Sequence, residues 1–388
     1  MIFSLENHKN GQKKAHQNKR WPPPLVLIRL PFSVSFYILI HFYLFVNGFK
    51  KINSHILFFG LLLPVYQNLI RFSFTNDRNL LDKCEKWCYN IFINTILEEI
   101  NLFKKFSDTV TLASGAKMPC IGYGTWQTPD GDVARKCVYE AIKAGYRHID
   151  TAAAYGNEES VGAGIKDSGV SRDELFITTK HWITNRGYEK TIAACEESLK
   201  KLGIDYLDLY LIHWPCVSKI SDNWEEINAD TWRGFEKLYK DGKIRAIGVS
   251  NFLPSHLESL KARSTIKPMV NQIEFHPGYT QTELADYCKK EGIVLQAWSP
   301  LGCGAVLGDA FLAEMAAKYN KSVAQLCIRF ALQSGFVPLP KSTNAERIAA
   351  NMEVFDFEIS AEDMEKIAKM PRTGYSGFYP EEAPADAL

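Results

Sequence analysis

The stretch LYLIHWP, Leu209–Pro215, decides how the rest of the chain is read. Leu209, Tyr210, Leu211 and Ile212 run unbroken into His213, and Trp214-Pro215 ends the run. A short continuous apolar run of this kind is a strand buried on both faces, as in a parallel sheet covered by helices. His213 then stands at the C-terminal end of that strand, the edge where parallel barrels and doubly wound sheets keep their active sites. Taken alone, a histidine ending a buried strand is more often a structural residue. Three other strand ends give it company.

Working outward, strand-like runs are expected near residues 122–125, 148–150, 175–179, 207–212, 246–249, 270–273, 294–297 and 336–339. Helical patterns fall between them, among others at 132–144, 188–202, 232–241, 281–291 and 323–334. Eight strands alternating with helices over about 280 residues is the pattern of an α/β protein of the (β/α)8 TIM barrel type. Ala113-Ser114-Gly115-Ala116 between residues 109–112 and 117–121 predicts an N-terminal β-hairpin. A doubly wound open sheet is the alternative. It lacks the glycine fingerprint, because Gly122-Tyr-Gly124 is followed by Gln127 where the third glycine belongs.

The 388 residues carry a net charge of +1, but unevenly. Up to Phe106 the chain carries +8, and the remainder −7, which argues against nucleic acid as a partner. Two domains are expected, an extension at 1–107 and the barrel at 108–388. The extension is hydrophobic and atypical, with Pro22-Pro23-Pro24, then apolar stretches at 25–46 and 56–70 that Arg29, His41, Pro64 and Gln67 interrupt. Three readings stay open for it: a disordered segment, membrane association through residues 25–70, or upstream sequence read in from a misplaced start. The nine scattered cysteines suit reduced thiols in a cytoplasmic protein, and only Cys84 and Cys88 are close, without a second pair to complete a zinc set. Cys216 and Cys303 are the two placed for exposure, neither with an adjacent base.

If the strands are parallel, their polar C-terminal residues converge on one face. HIDTAAAYGNE gives Asp150 and Tyr155, FITTKHW gives Lys180, and LIHWP gives His213. A free phenol has a pKa of about 10, too high for ready proton exchange near neutrality. An ammonium about 4 Å away favours the phenolate by on the order of 4 kcal/mol, about three pKa units before desolvation opposes it. Asp150 would hold Lys180 charged, and His213 would donate a hydrogen bond to a substrate oxygen. The set suits protonation of an oxygen as a carbonyl is reduced, with the electrons coming from a hydride carrier.

The motifs GYGTW at 122–126, DTAAAYGNE at 150–158, TTKHW at 178–182, LIHWP at 211–215, GVSNF at 248–252, NQIEFHP at 271–277 and PKSTNAERIAAN at 340–351 resemble those of the aldo-keto reductase family. The likeness is to its bacterial-type branch, near the 2,5-diketo-D-gluconate and methylglyoxal reductases. It implies NADPH-dependent reduction of aldehydes and ketones to alcohols, with Tyr155 as general acid beside Asp150, Lys180 and His213. It implies NADPH bound in an extended pose across the barrel mouth, which accounts for the missing fingerprint. The implied cofactor residues are Gly124, Thr125, Ser250, Asn251, Gln272, Trp298, Ser299, Leu301, Lys341, Ser342, Arg347 and Asn351. Trp298 is placed to stack on the nicotinamide, and Lys341, Ser342 and Arg347 to hold the 2′-phosphate with help from the following helix start. Trp126, Trp182 and Trp214 wall the implied substrate pocket, and His181 is expected at its rim. The short tail after Arg372 suggests an open mouth and broad specificity for small-molecule carbonyl substrates. His276 is expected to be structural, and a monomer is expected. The same fold also serves as a non-catalytic, cofactor-sensing subunit of membrane channels, which is the alternative; a metal-using barrel lacks a ligand cluster at these strand ends.

Overall fold

In a computed structural model, the structure describes residues 103–381. A hairpin of β1 (Thr109–Thr111) and β2 (Lys117–Pro119) comes first, its antiparallel register pairing Val110 with Met118. Gly115 turns it at φ 85°, a left-handed conformation that glycine adopts without Cβ strain. Met118, Cys120 and Ile121 are buried beneath the barrel, and Arg329 donates to the carbonyl of buried Phe103 at 3.1 Å.

Eight parallel strands follow: β3 (Tyr123–Gly124), β4 (His148–Asp150), β5 (Phe176–His181), β6 (Leu209–Ile212), β7 (Ile247–Ser250), β8 (Val270–Glu274), β9 (Val294–Trp298) and β10 (Phe336–Pro338). Each pairs with its sequence neighbour. The seam between first and last is closed by Gly122 and Gly124, whose N–H groups donate to the carbonyls of Pro338 and Pro340 at 3.0 and 3.1 Å. Proline offers a carbonyl but no N–H, so these seam bonds run in one direction. A Cβ on Gly122 would lie 2.6 Å from Leu339 Cδ2 and 2.7 Å from His148 Nδ1, so the closure needs glycine there.

The helices lie outside: α1 (Asp132–Ala144), α2 (Glu158–Ser168), α3 (Tyr188–Leu202), α4 (Trp224–Lys240), α5 (Pro254–Arg263), α6 (Thr282–Glu291), α7 (Ala310–Lys318), α8 (Val323–Gln333), α9 (Ala345–Ala350) and α10 (Ala361–Ala368). Each keeps an apolar stripe for the barrel. In α1, Ala134, Cys137, Val138, Ala141 and Ile142 are buried at helical spacing. In α4, Phe235 stacks between Tyr210 of β6 (4.6 Å) and Trp232 (5.5 Å), seating the helix on the strand. This helix begins eight residues earlier than the pattern at 232–241 suggests, because Glu225 and Glu226 supply a favourable acidic first turn.

The strand period of two sorts β5 side chains. Lys180 points inward to Asp150, while Thr179 donates to Glu158 of α2 and His181 meets the rings of Tyr210 and Phe235. His181 therefore packs in the helix layer, not at the pocket rim. Cys216 is likewise buried, contrary to its expected exposure, and only Cys303 is exposed among the described cysteines. Among the described residues no helix is long and apolar enough to cross a membrane. The stretch at 25–70 and the Cys84/Cys88 pair lie outside the described residues.

Candidate active site

Asp150 ends β4, and the chain then turns through Ala153–Tyr155 and Gly156 (φ 68°) to bring Tyr155 back over it. Lys180, 0% exposed, stands between them. Its ammonium donates to Asp150 Oδ1 (2.5 Å), to the Thr151 carbonyl (2.9 Å) and to the Tyr155 hydroxyl (3.1 Å). All three N–H donors are used, which fixes the direction of the charge. The turn is braced by Asn157, which donates to the carbonyls of Thr125 and Thr128 and accepts from the Thr151 hydroxyl.

His213 follows β6 with its ring edge-on to Tyr155 (5.6 Å) and Trp182 (5.1 Å). Burial, with the charge of Lys180 beside it, pushes its pKa well below the ordinary histidine value, so the ring is neutral. Nδ1 is buried without a hydrogen-bond partner. An orphaned N–H is the costlier option there, so the tautomer with the proton on Nε2 is favoured. Burial and Asp150 also push the Tyr155 phenol up, with Lys180 opposing them. The sequence argument expects the reverse direction. A half-buried phenol in this site loses more anion hydration than one ammonium restores. Lys180 is pulled down by burial, but Asp150 and Tyr155 outweigh this and keep it charged.

A groove of about 780 Å³ opens above these groups. Asp150, Tyr155, His213, Trp126, Trp182 and Trp214 line it, together with Gly124, Ser250, Asn251, Gln272, Trp298, Ser299, Leu301, Lys341, Ser342, Arg347 and Asn351. Thr125 does not: it is fully buried, and its backbone N–H and hydroxyl both donate to the Asp150 carbonyl. The helix after Pro340 is short. α9 has six residues and Asn344 caps its Arg347 N–H, so one of the N–H groups at its start is already paired within the chain.

The donor set suits a long phosphorylated dinucleotide. At one end Trp298 is held upright by donating to Asn251 Oδ1 at 2.9 Å, and Gln272 turns its amide nitrogen inward to Asp150. At the other end Lys341 donates to the Gln127 carbonyl beside Ser342 and Arg347. Ser322 and Ala324, at the start of α8, also face the groove, and were signalled only by a capping box with Gln325. Phe378 was missed altogether. Glu274 accepts from the Ser376 N–H (2.9 Å) and hydroxyl (2.8 Å), and the tail so held sets Phe378 against Trp126 (6.1 Å) and Trp214 (6.2 Å). Phe378 thus adds a ring to the aromatic wall of the groove. His276 is buried against Glu274 and does not line the groove.

The family model described as "Aldo/keto reductase family" matches residues 120–371. The chain belongs to this family. As a member of the aldo/keto reductases it is an oxidoreductase of carbonyl compounds. It is 55% identical over 275 residues to glyoxal reductase of Bacillus subtilis, covering 71% of this chain and 97% of that protein. Among solved structures, an aldo/keto reductase from Brucella melitensis superposes with TM-score 0.64 at 46% identity, covering 68% of this chain and 99% of that one. A Bombyx mori aldo-keto reductase in complex with NADP superposes with TM-score 0.64 at 39% identity, covering 68% and 92%.

Proposed function

We propose that this aldo/keto reductase reduces small aldehydes and ketones to alcohols with NADPH, Tyr155 giving the proton. The observation that carries the reading is the buried ammonium of Lys180, shared between Asp150 and the Tyr155 hydroxyl. NADPH, when bound, supplies the hydride to the carbonyl carbon. The chain's own groups do the rest. His213 donates from Nε2 to the carbonyl oxygen and turns it toward Tyr155. Tyr155, protonated at neutral pH, hands its proton to that oxygen as charge develops there, and Lys180 stabilises the phenolate left behind. Asp150 keeps Lys180 charged. Ser250, Asn251, Gln272 and Trp298 would hold the nicotinamide end; Gly124, Ser299, Leu301 and Asn351 line the remainder of the groove, and Lys341, Ser342 and Arg347 would hold the 2′-phosphate. Trp126, Trp182, Trp214 and Phe378 exclude water and favour compact carbonyls. The Bacillus subtilis relative is named a glyoxal reductase, which makes glyoxal the first substrate to try.

Tyr155→Phe removes the acid without changing shape. It should lower kcat for glyoxal by about 10² to 10⁴ and leave NADPH affinity within a few fold. Near wild-type turnover in this variant would reject the assignment.

A further inference from the structure

The inward face of the barrel carries an amide that the acid–base set does not touch directly. Gln296 of β9 is 0% exposed and does not line the groove. Its Oε1 accepts from Gln272 Nε2 at 2.8 Å, and its own Nε2 points to the Met118 sulfur at 3.1 Å. Gln272 Nε2 uses its other N–H on Asp150 Oδ2, also at 2.8 Å. The direction of this chain is forced. A carboxylate only accepts, so Gln272 must present nitrogen to Asp150. The second N–H on that nitrogen then needs an acceptor, which is Gln296 Oε1. Gln296 is left presenting nitrogen to a thioether, a weak acceptor. Leucine or methionine would fill the same space without burying an amide, and burying one is costly unless it does something.

Resting on the acid–base reading above, we propose that Gln296 is a positioning residue for the reaction. It locks the Gln272 amide in the one orientation that stabilises the Asp150 carboxylate and turns Gln272 Oε1 away from it. Without that acceptor, Gln272 has an orphaned N–H and is free to rotate off Asp150. The carboxylate then bears more of its charge on Lys180, the phenol holds its proton harder, and proton donation slows. The ionisable groups acting on this centre are Lys180 from β5, Tyr155 from the turn after β4, and Asp150 itself. His148 and His213 face the charge of Lys180 and are neutral.

The test compares Gln296→Met and Gln296→Glu in the full chain, with glyoxal and NADPH, across pH. Gln296→Met keeps volume and removes the acceptor. We expect kcat about tenfold lower, its alkaline limb displaced upward, and NADPH affinity, read by tryptophan quenching, within a few fold of wild type. Gln296→Glu keeps an acceptor for Gln272 whether its carboxyl is protonated or ionised, so in mild acid, where a buried glutamic acid keeps its proton, its turnover should stay within a few fold of wild type. If Gln296→Met keeps the wild-type rate and pH profile, the proposal is wrong. Should Gln296→Met fail to fold, Gln296→Glu decides alone, since a tenfold loss of turnover while its carboxyl is protonated would reject the lock. Tyr155→Phe separates the two levels: turnover retained there overturns the acid–base reading, whereas turnover lost there with wild-type behaviour in Gln296→Met overturns only this inference.

Discussion

Lys180 and Asp150 show how much a single buried charge depends on its partner. Their side chains are 0% and 4% exposed. Removing one partner of such a pair strands the other and costs about 3–5 kcal/mol, whereas removing both charges is often nearly neutral. Lys180→Met should therefore destabilise the fold by about that amount in urea titrations. Adding Asp150→Asn should restore most of the loss, yet leave turnover absent. Additive destabilisation in the double variant would mean the pair does not act as a unit. The same scale sets the pH profile of reduction. His213 stays neutral and Tyr155 stays protonated through neutrality, so kcat should be flat there and fall only in the alkaline range, as the phenol loses its proton. A limb near the ordinary histidine value of about 6.5 would contradict this.

At the scale of elements, the proposed cofactor clamp sits where β10 runs into α9. Lys341 spans to the Gln127 carbonyl, and Tyr123 of β3 donates to the Ser342 carbonyl at 2.7 Å. Lys341→Ala with Arg347→Ala should raise KM for NADPH about tenfold or more while changing KM for NADH little, because only the former has a 2′-phosphate to lose. Equal effects on both would place the phosphate elsewhere. Most strands and the first helices were legible because a buried parallel strand and an amphipathic helix each leave a period in the sequence: α1 and α3 fall where the pattern put them. Asp150, Lys180 and His213 were legible because strand ends follow a rule. Phe378 was not, since its position depends on Glu274 reaching the tail through Ser376. The inward side of Gln296 and the outward side of His181 depend on register, and Thr125 on which strand lies across it. Contacts between distant segments leave no local period to read.

For the whole molecule, the interior is hostile to protons. His148 has its pKa pushed down to about 3, and His181 and His256 to about 4, each mainly by burial, and His213 is depressed too. In an unfolded chain each would titrate near 6.5. Between those values the unfolded state binds more protons, so stability is full above about pH 6.5 and is lost as pH falls toward the folded-state values. Tm should fall steadily from pH 7 to 4.5, with net proton uptake on unfolding. A flat Tm over that range would show that these rings are protonated in the folded state.

The barrel seam has a kinetic consequence. Its bonds from Gly122 and Gly124 to Pro338 and Pro340 join opposite ends of the described chain, and the proposed clamp begins one residue beyond, at Lys341. A dinucleotide held by Gly124 on one side and by Lys341 and Arg347 on the other would act as a bolt across a door. At about a hundred times its Kd it adds about 2.7 kcal/mol to stability. If the seam is the part that opens first, that increment appears as slower unfolding, with refolding little changed. NADPH should then slow unfolding in denaturant by up to about a hundredfold, and the Lys341→Ala, Arg347→Ala variant should lose most of this protection.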